Sequence, residues 1–345
     1  MPRFIDHLLA EKKWHVSGMG LPPWMIAGGE VLVKRVARTR RMLHGSNVVL
    51  IDNVAEYYYS HHVDAKRGPD GPEQFPQLAP PFPMAFYEYT LPPWMYDTLF
   101  TDAENGAPRA LNQVGVLVTA VETSDIHVNA SEHSPLSSVL SECKIGLPPK
   151  WYLCIELFAG DRTDRIPWSP VLRVGLTVDA DGALACDPRY GIWALDDRIT
   201  DNSAIEQHRF WTLMPLVYPA LLANSFLHCR NVSTEEHVPS AKLNKAYLRR
   251  HGLPLFRYKT LTIEPMKRIL RKEGQVEANG LSKALYICRG HFKDYRESAG
   301  LFGKHKGLFW WDMHARGALD HGVVVKDYAI KLPNSQAVNP LETQS

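Results

Sequence analysis

Apolar residues recur at helical spacing near the start of the chain. They predict one helix over 4–16 and a second over 25–43. In the second, Val31, Leu32, Val36 and Met42 supply a packing side, and Lys34, Arg35, Arg38, Arg40 and Arg41 a basic one. That basic side reads as a solvated helix face rather than a nucleic-acid contact. Runs rich in Val, Ile and Tyr predict strands at 47–52 and 55–62. A Pro- and Gly-rich loop follows over 66–83, and strands resume at 82–90 and 114–121. The segment 78–89, Leu78 to Tyr89, pairs a proline turn with an aromatic strand and reads as core. Residues 123–149 are polar throughout and read as a long loop.

Further on, 150–158 and 171–178 alternate or run apolar as strands do. Asp179 and Asp181 are followed by Gly182, and that order marks a hairpin turn rather than a metal site. The stretch 203–229 predicts a long core helix, kinked at Pro215 and Pro219. A basic helix begins at Ser240, runs to Arg250 and stops at Gly252. After it come a strand at 256–263, a short basic helix at 265–272, and strands at 283–295, 308–316 and 323–332. The expected class is α+β. An N-terminal mixed region, 1–201, precedes a C-terminal region, 202–333, in which a basic antiparallel sheet packs on the long helix. A polar tail, 334–345, closes the chain.

Composition adds little until charge is mapped. The 345 residues are 45% hydrophobic and 22% charged, enough apolar material for a sizeable core. The five cysteines are scattered and form no C-x-x-C pair, which argues against a disulfide framework and favours reduced thiols in the cytoplasm. The N-terminus lacks a stretch of signal-peptide character. The uncharged run 210–229 carries too many polar and proline interruptions to span a membrane, so no membrane partner is expected. The net charge is only +2, yet residues 240–316 hold 17 Lys and Arg against six Asp and Glu. Such a concentration is the electrostatic signature of a polyanion partner, most often nucleic acid.

Strand parity organises this basic stretch. Over 283–293, Arg289, His291 and Lys293 share one face. Over 307–316, Asp312, His314 and Arg316 share one face. If the two strands pair as a hairpin, both polar sets can meet on one surface. The connecting loop adds glycines together with Lys304, His305 and Lys306. That constellation suits phosphodiester chemistry without a metal or cofactor. His291 and His314 would act as acid and base, and Arg289 and Arg316 would hold the charge at phosphorus. Lys293, Lys304, His305 and Lys306 would contact phosphates, while Tyr295 and Trp310 would stack on bases. Of the adjacent pair Trp310 and Trp311, one ring is expected in the core and one at the surface. RNA is favoured over DNA, because its 2′-hydroxyl is an internal nucleophile.

Competing chemistries fit less well. A two-metal nuclease needs converging carboxylates, and Asp294, Glu297 and Asp312 are scattered. A zinc site from Cys288, His291, His305 and His314 is disfavoured, since parity separates Cys288 from His291. Arg230 and Asn231 read as a helix C-cap. The expectation is therefore a nucleic-acid-acting protein, a metal-independent ribonuclease in its sharpest form. The alternative is a non-catalytic factor that grips nucleic acid or a host protein.

Three tail segments, Arg289-Gly290-His291-Phe292, the glycine-spaced run Gly300 to Gly307, and Trp310 to Gly317, resemble tails of uncharacterised proteins from phages and prophages. The segments around Ala79–Glu88, Cys229–Val232 and Leu243–Pro254 are similar to others in that group. The resemblance implies a phage or prophage context, including regulation and contests with bacterial defence. It assigns no catalytic residue.

Overall fold

The structure, a computed structural model, describes residues 3–10, 29–64, 68–92, 113–122, 149–160, 172–185, 192–194, 211, 213–264, 269, 284–288, 290–301, 303–311, 314–316 and 318–323. The protein is α+β. Its centre is an eight-stranded mixed sheet, with strands in the order β8-β7-β6-β5-β4-β1-β10-β9. In chain order these are β1 (Asn47–Leu50), β4 (Met84–Thr90), β5 (Gln113–Glu122), β6 (Trp151–Gly160), β7 (Leu172–Val178), β8 (Ile192–Ala194), β9 (Val232–His237) and β10 (Tyr258–Ile263). The two-residue strands β2 (Val63–Asp64) and β3 (Gly68–Pro69) form a separate small pair. β1 runs parallel to both its neighbours, β4 and β10, and every other pairing in the large sheet is antiparallel.

The middle strands are apolar on both faces, as the burial of nine of the ten residues in β6 requires. Each face is covered by its own helices. On one side lie α1 (Phe4–Ala10) and α2 (Gly29–Gly45); Phe4, Ile5, Leu8, Leu9 and Leu43 bury against Val48, Phe86, Leu117 and Phe158. On the other lie α3 (Asp52–His61) and α4 (Tyr218–Leu227), whose residues pack on Val49, Tyr87, Val116 and Ile155. A fifth helix, α5 (Ala241–His251), joins the first side: its Tyr247 hydroxyl donates to the Asp6 carbonyl of α1 at 2.9 Å.

Several elements differ from expectation. Residues 55–62 were expected as a strand; 55–61 belong to helix α3 and His62 caps its end. Val54, Ala55, Tyr58 and Tyr59 are the buried positions, an i, i+1, i+4, i+5 set that makes one helical face. Consecutive tyrosines favour a strand by propensity, but packing against α4 decides the outcome. Of the long core helix expected at 203–229, residues 203–210 lie outside the described residues; the described part includes a 3₁₀ turn, Met214–Leu216, followed by the ten residues of α4, with Pro215 and Pro219 in the first turns. All of α4 but Leu227 is buried. Among the described residues, no helix is long and apolar enough to cross a membrane. The strand expected at 323–332 begins earlier, as β15 (Ala318–Val323), and 324–332 lies outside the described residues. So do most of the short helix expected at 265–272, the loop at 123–148 and the tail at 334–345.

The boundary expected near residue 202 does not separate two sheets. β10 lies beyond it in sequence and pairs directly with β1, and Leu308 and Trp310 share one core cluster with Val49 and Tyr87. The turn at 179–182 forms as expected. The Asp179 carboxylate accepts from the Asp181 and Ala183 amides at 2.9 Å, and Gly182 takes φ 87°.

Candidate nucleic-acid interface

The expected hairpin forms. β12 (His291–Asp294) pairs antiparallel with β13 (Leu308–Trp311), and β11 (Ala284–Cys288) pairs with β14 (His314–Arg316). β15 lies on the other edge of β11. β12–β13 packs on α4, where Phe226 meets Phe292 at 5.0 Å and Trp310 at 4.8 Å between ring centroids. Tyr57 of α3 adds an edge contact to Trp310 and donates its hydroxyl proton to the Gly290 carbonyl at 3.0 Å.

The register overturns the arrangement expected of the polar residues. His291 stands opposite Trp311, and His314 stands opposite Cys288. Both ladders set odd positions against odd and even against even. Facing residues share a face in an antiparallel pair, so His291 and Lys293 belong with Trp311 and Phe309. In the second ladder His314 and Arg316 are the register partners of Cys288 and Tyr286. The even-numbered and odd-numbered polar sets therefore do not converge in either ladder. Arg289 lies outside the described residues.

The aromatic pair also departs from expectation. Trp310 and Trp311 are each 3% exposed, so neither ring is a surface platform. Trp310 joins the main core, and Trp311 packs with Phe309, Tyr295 and Leu301 under the Lys293 ammonium, 4.0 Å above its ring. Tyr295 is half-buried against Phe309. His305 is half-buried with its ring 6.0 Å from that of Phe309. Lys304 and Lys306 are exposed on the loop, which turns through Gly300, Gly303 and Gly307 at positive φ. Arg296 is occupied by Asp294, at 2.6 Å, and that pairing holds the Asp294 carboxyl below its ordinary range.

Asn231, expected as a helix cap, is instead a structural centre. Its side-chain amide accepts from the Trp310 amide at 2.9 Å and donates to the Trp310 and Glu264 carbonyls at 2.8 and 2.9 Å. It acts as an inserted piece of backbone that locks the hairpin to the end of β10. Nothing in the sequence around Asn231 marks this role.

The basic stretch of the sequence divides in space. The hairpin lies on the α3–α4 side of the sheet, whereas α5 lies on the α1–α2 side. Ser240 caps α5 through the Leu243 amide, and Gly252 ends it at φ 75°. Only Tyr247 of α5 is buried. With 3.6 residues per turn, Lys242, Lys245 and Arg249 share a stripe pointing away from Tyr247. These three and Arg250 are exposed and take part in no ion pair among the described residues. Asn244 accepts from the Leu255 amide and Asp6 from the Phe256 amide, each at 2.9 Å, which fixes α5 and its exit loop to α1.

α2 borders α1 from another direction. Arg40 donates to the Leu9 carbonyl at 2.6 Å, and Thr39 to the Glu156 carboxylate on β6 at 2.9 Å. Arg173 completes that buried carboxylate's partners at 3.0 Å. Arg38 and Arg41 are exposed on α2. Together α1, α2 and α5 carry nine Lys and Arg, five from α2 and four from α5, against the two acids Asp6 and Glu30. Asp6 is buried. Glu235 of β9 is an exposed acid on this side, opposite Thr260. The helices of the opposite side, α3 and α4, hold two acids and no Lys or Arg. The helices of the two sides thus differ in charge, although the hairpin adds exposed Lys304 and Lys306 on the α3–α4 side; the cationic helices include the α2 arginines that were expected only to be solvated. Two separated basic helices with few acids were the available signal.

Nucleophile chemistry has little support at the two thiols Cys154 and Cys229. Burial pushes Cys154 up to about 11 and Cys229 up to about 12, so both stay protonated. Among the described residues, no three His, Cys, Asp or Glu side chains gather as metal ligands. Comparison with protein-family models, with curated proteins and with solved structures finds no match.

Proposed function

We propose that the protein binds nucleic acid, through the cationic helical face built from α2 and α5. The observation that carries this reading is the set of exposed cations on one side of the sheet, Arg38 and Arg41 on α2 and Lys242, Lys245, Arg249 and Arg250 on α5. Exposed cations on a rigid helical layer attract phosphates and release counterions, and that release drives sequence-independent binding. A phage or prophage setting rests on the motif resemblance alone. The ribonuclease reading loses its geometric support, because His291 faces Trp311 and His314 faces Cys288 across the strands. With it goes the argument for RNA over DNA.

Fluorescence anisotropy with labelled RNA and DNA at rising salt tests the proposal. Replacing Lys242, Lys245 and Arg249 by Glu should weaken binding. It should also flatten the log–log salt dependence by about 0.9 for each phosphate no longer neutralised. Reversal that leaves affinity and slope unchanged overturns the assignment of this face.

A further inference from the structure

We infer that the occupant of the α2–α5 face is a double-stranded nucleic acid held by its phosphates, an inference that rests on the nucleic-acid reading above. Base recognition in single strands needs exposed rings on which unstacked bases lie. Among its described residues this face offers no exposed Phe, Tyr or Trp ring, and the exposed imidazole of His44 lies beside Phe256. Phe4 is buried in the core, and Tyr247 is buried with its ring stacked on His251 at 4.3 Å. Half-buried Phe256 sits 6.0 Å from the His44 ring. Half-buried Tyr258 has the His237 ring at 4.8 Å and the Arg3 guanidinium at 4.1 Å. Trp310, expected to stack on bases, is buried on the opposite side.

What the face does offer is fixed charge at regular spacing. Lys242 and Arg249 bracket about 10 Å of helix, at roughly 1.5 Å rise per residue. Lys245 stands between them on the same stripe, and Arg38 and Arg41 rise from α2, across α1. These are helix-borne groups on a packed layer, so little ordering is needed to meet a rigid array of phosphates. A duplex presents one charge per about 1.7 Å of its axis, denser than a single strand does.

An anionic lipid surface is the other polyanion with this chemistry, and Leu243 and Leu248, 40% and 46% exposed, lie on α5. Their placement argues against it. Five residues apart, they fall on opposite flanks of the cation stripe, so the outermost line of the helix is charged. A membrane-seated helix needs its apolar residues together on that line.

The test compares duplex and single-stranded probes of equal length, in DNA and in RNA, by anisotropy, with phosphatidylserine vesicles as a third arm. The variants are the Lys242→Glu, Lys245→Glu, Arg249→Glu triple, the Arg38→Glu, Arg41→Glu double, and the uncharged Leu243→Gln with Leu248→Gln. All alter exposed positions, and unchanged thermal melting confirms folding. The expected result is roughly tenfold tighter binding to duplex than to single strand, reduced by both cation variants and not by the leucine variant. Single strands bound equally or more tightly, with the cation variants still weakened, overturn the duplex inference and leave the nucleic-acid reading standing. No binding to any nucleic acid overturns both. Vesicle binding that the leucine variant abolishes, without duplex binding, also overturns both.

Discussion

Replacing Glu88 by Gln should remove a pH-dependent weakness from the fold. Glu88 projects from β4 towards α1, is 6% exposed, and accepts the Phe4 amide proton at 3.0 Å. Burial pushes its carboxyl up to about 7, against partial relief from the Phe4 and Ile5 amides and from Arg3. In the unfolded chain the same group titrates near its ordinary value of 4.5. Between these values the native state holds a proton that the unfolded state has released. Stability therefore falls as pH rises through that window and levels off above it. At about 1.4 kcal/mol per pH unit, a displacement of roughly two and a half units corresponds to about 3 kcal/mol lost between pH 4.5 and 8. The carboxamide keeps the carbonyl acceptor for Phe4 and has no charge to desolvate. Urea unfolding of both proteins, at intervals from pH 5 to 8, isolates the effect as a difference. Taking the difference matters because burial lowers the affinity of His44 and His228 for protons, and these groups contribute with the opposite sign. The variant should be close to the parent at pH 5 and gain steadily on it towards pH 8. A difference that is flat, or that shrinks as pH rises, refutes the reasoning.

Replacing Asn231 by Leu strips partners from the Trp310 amide and carbonyl and from the Glu264 carbonyl, and should cost about 2–4 kcal/mol in chemical denaturation. Arg173→Met leaves the Glu156 carboxylate buried with a single donor, Thr39, and should cost about 3–5 kcal/mol; adding Glu156→Gln to it should recover much of that stability. Gly182→Ala forces a side chain onto a left-handed turn and into Gln77, whereas Gly252→Ala meets open space at a similar φ. Thermal unfolding should show the first to be clearly the more damaging, with the second costing about 1 kcal/mol.

Local signals were legible and non-local ones were not. Helix α5 could be read to within a residue, because Ser240 and Gly252 mark its ends by their own chemistry. The hairpin of β12 and β13 was legible as well, down to which residues alternate. Its register was not. Whether His291 faces His314 or Trp311 depends on how the intervening loop closes, and a slip of one residue exchanges every face. Helix α3 was misread because Tyr57, Tyr58 and Tyr59 are strand-like in composition, while the helical spacing of Val54, Ala55, Tyr58 and Tyr59 carried the better signal. The charged stretch was visible as a number but not as a shape. Nothing within residues 240–316 says that β10 inserts beside β1, and that insertion sends α5 and the hairpin to opposite faces. Asn231 was invisible because its partners lie 33 and 79 positions away.

β9 closes the large sheet on one side, and its residues Ser233 to Glu236 are all exposed. A bare row of amides and carbonyls is a template on which another copy could lengthen the sheet. Consecutive Glu235 and Glu236 project to opposite surfaces of that row, so an approaching twin meets like charge whichever way it lies. Like charge on both surfaces of the margin disfavours such pairing, and exchanging both residues for Val or Thr is expected to turn this margin into a seed for fibrous precipitation.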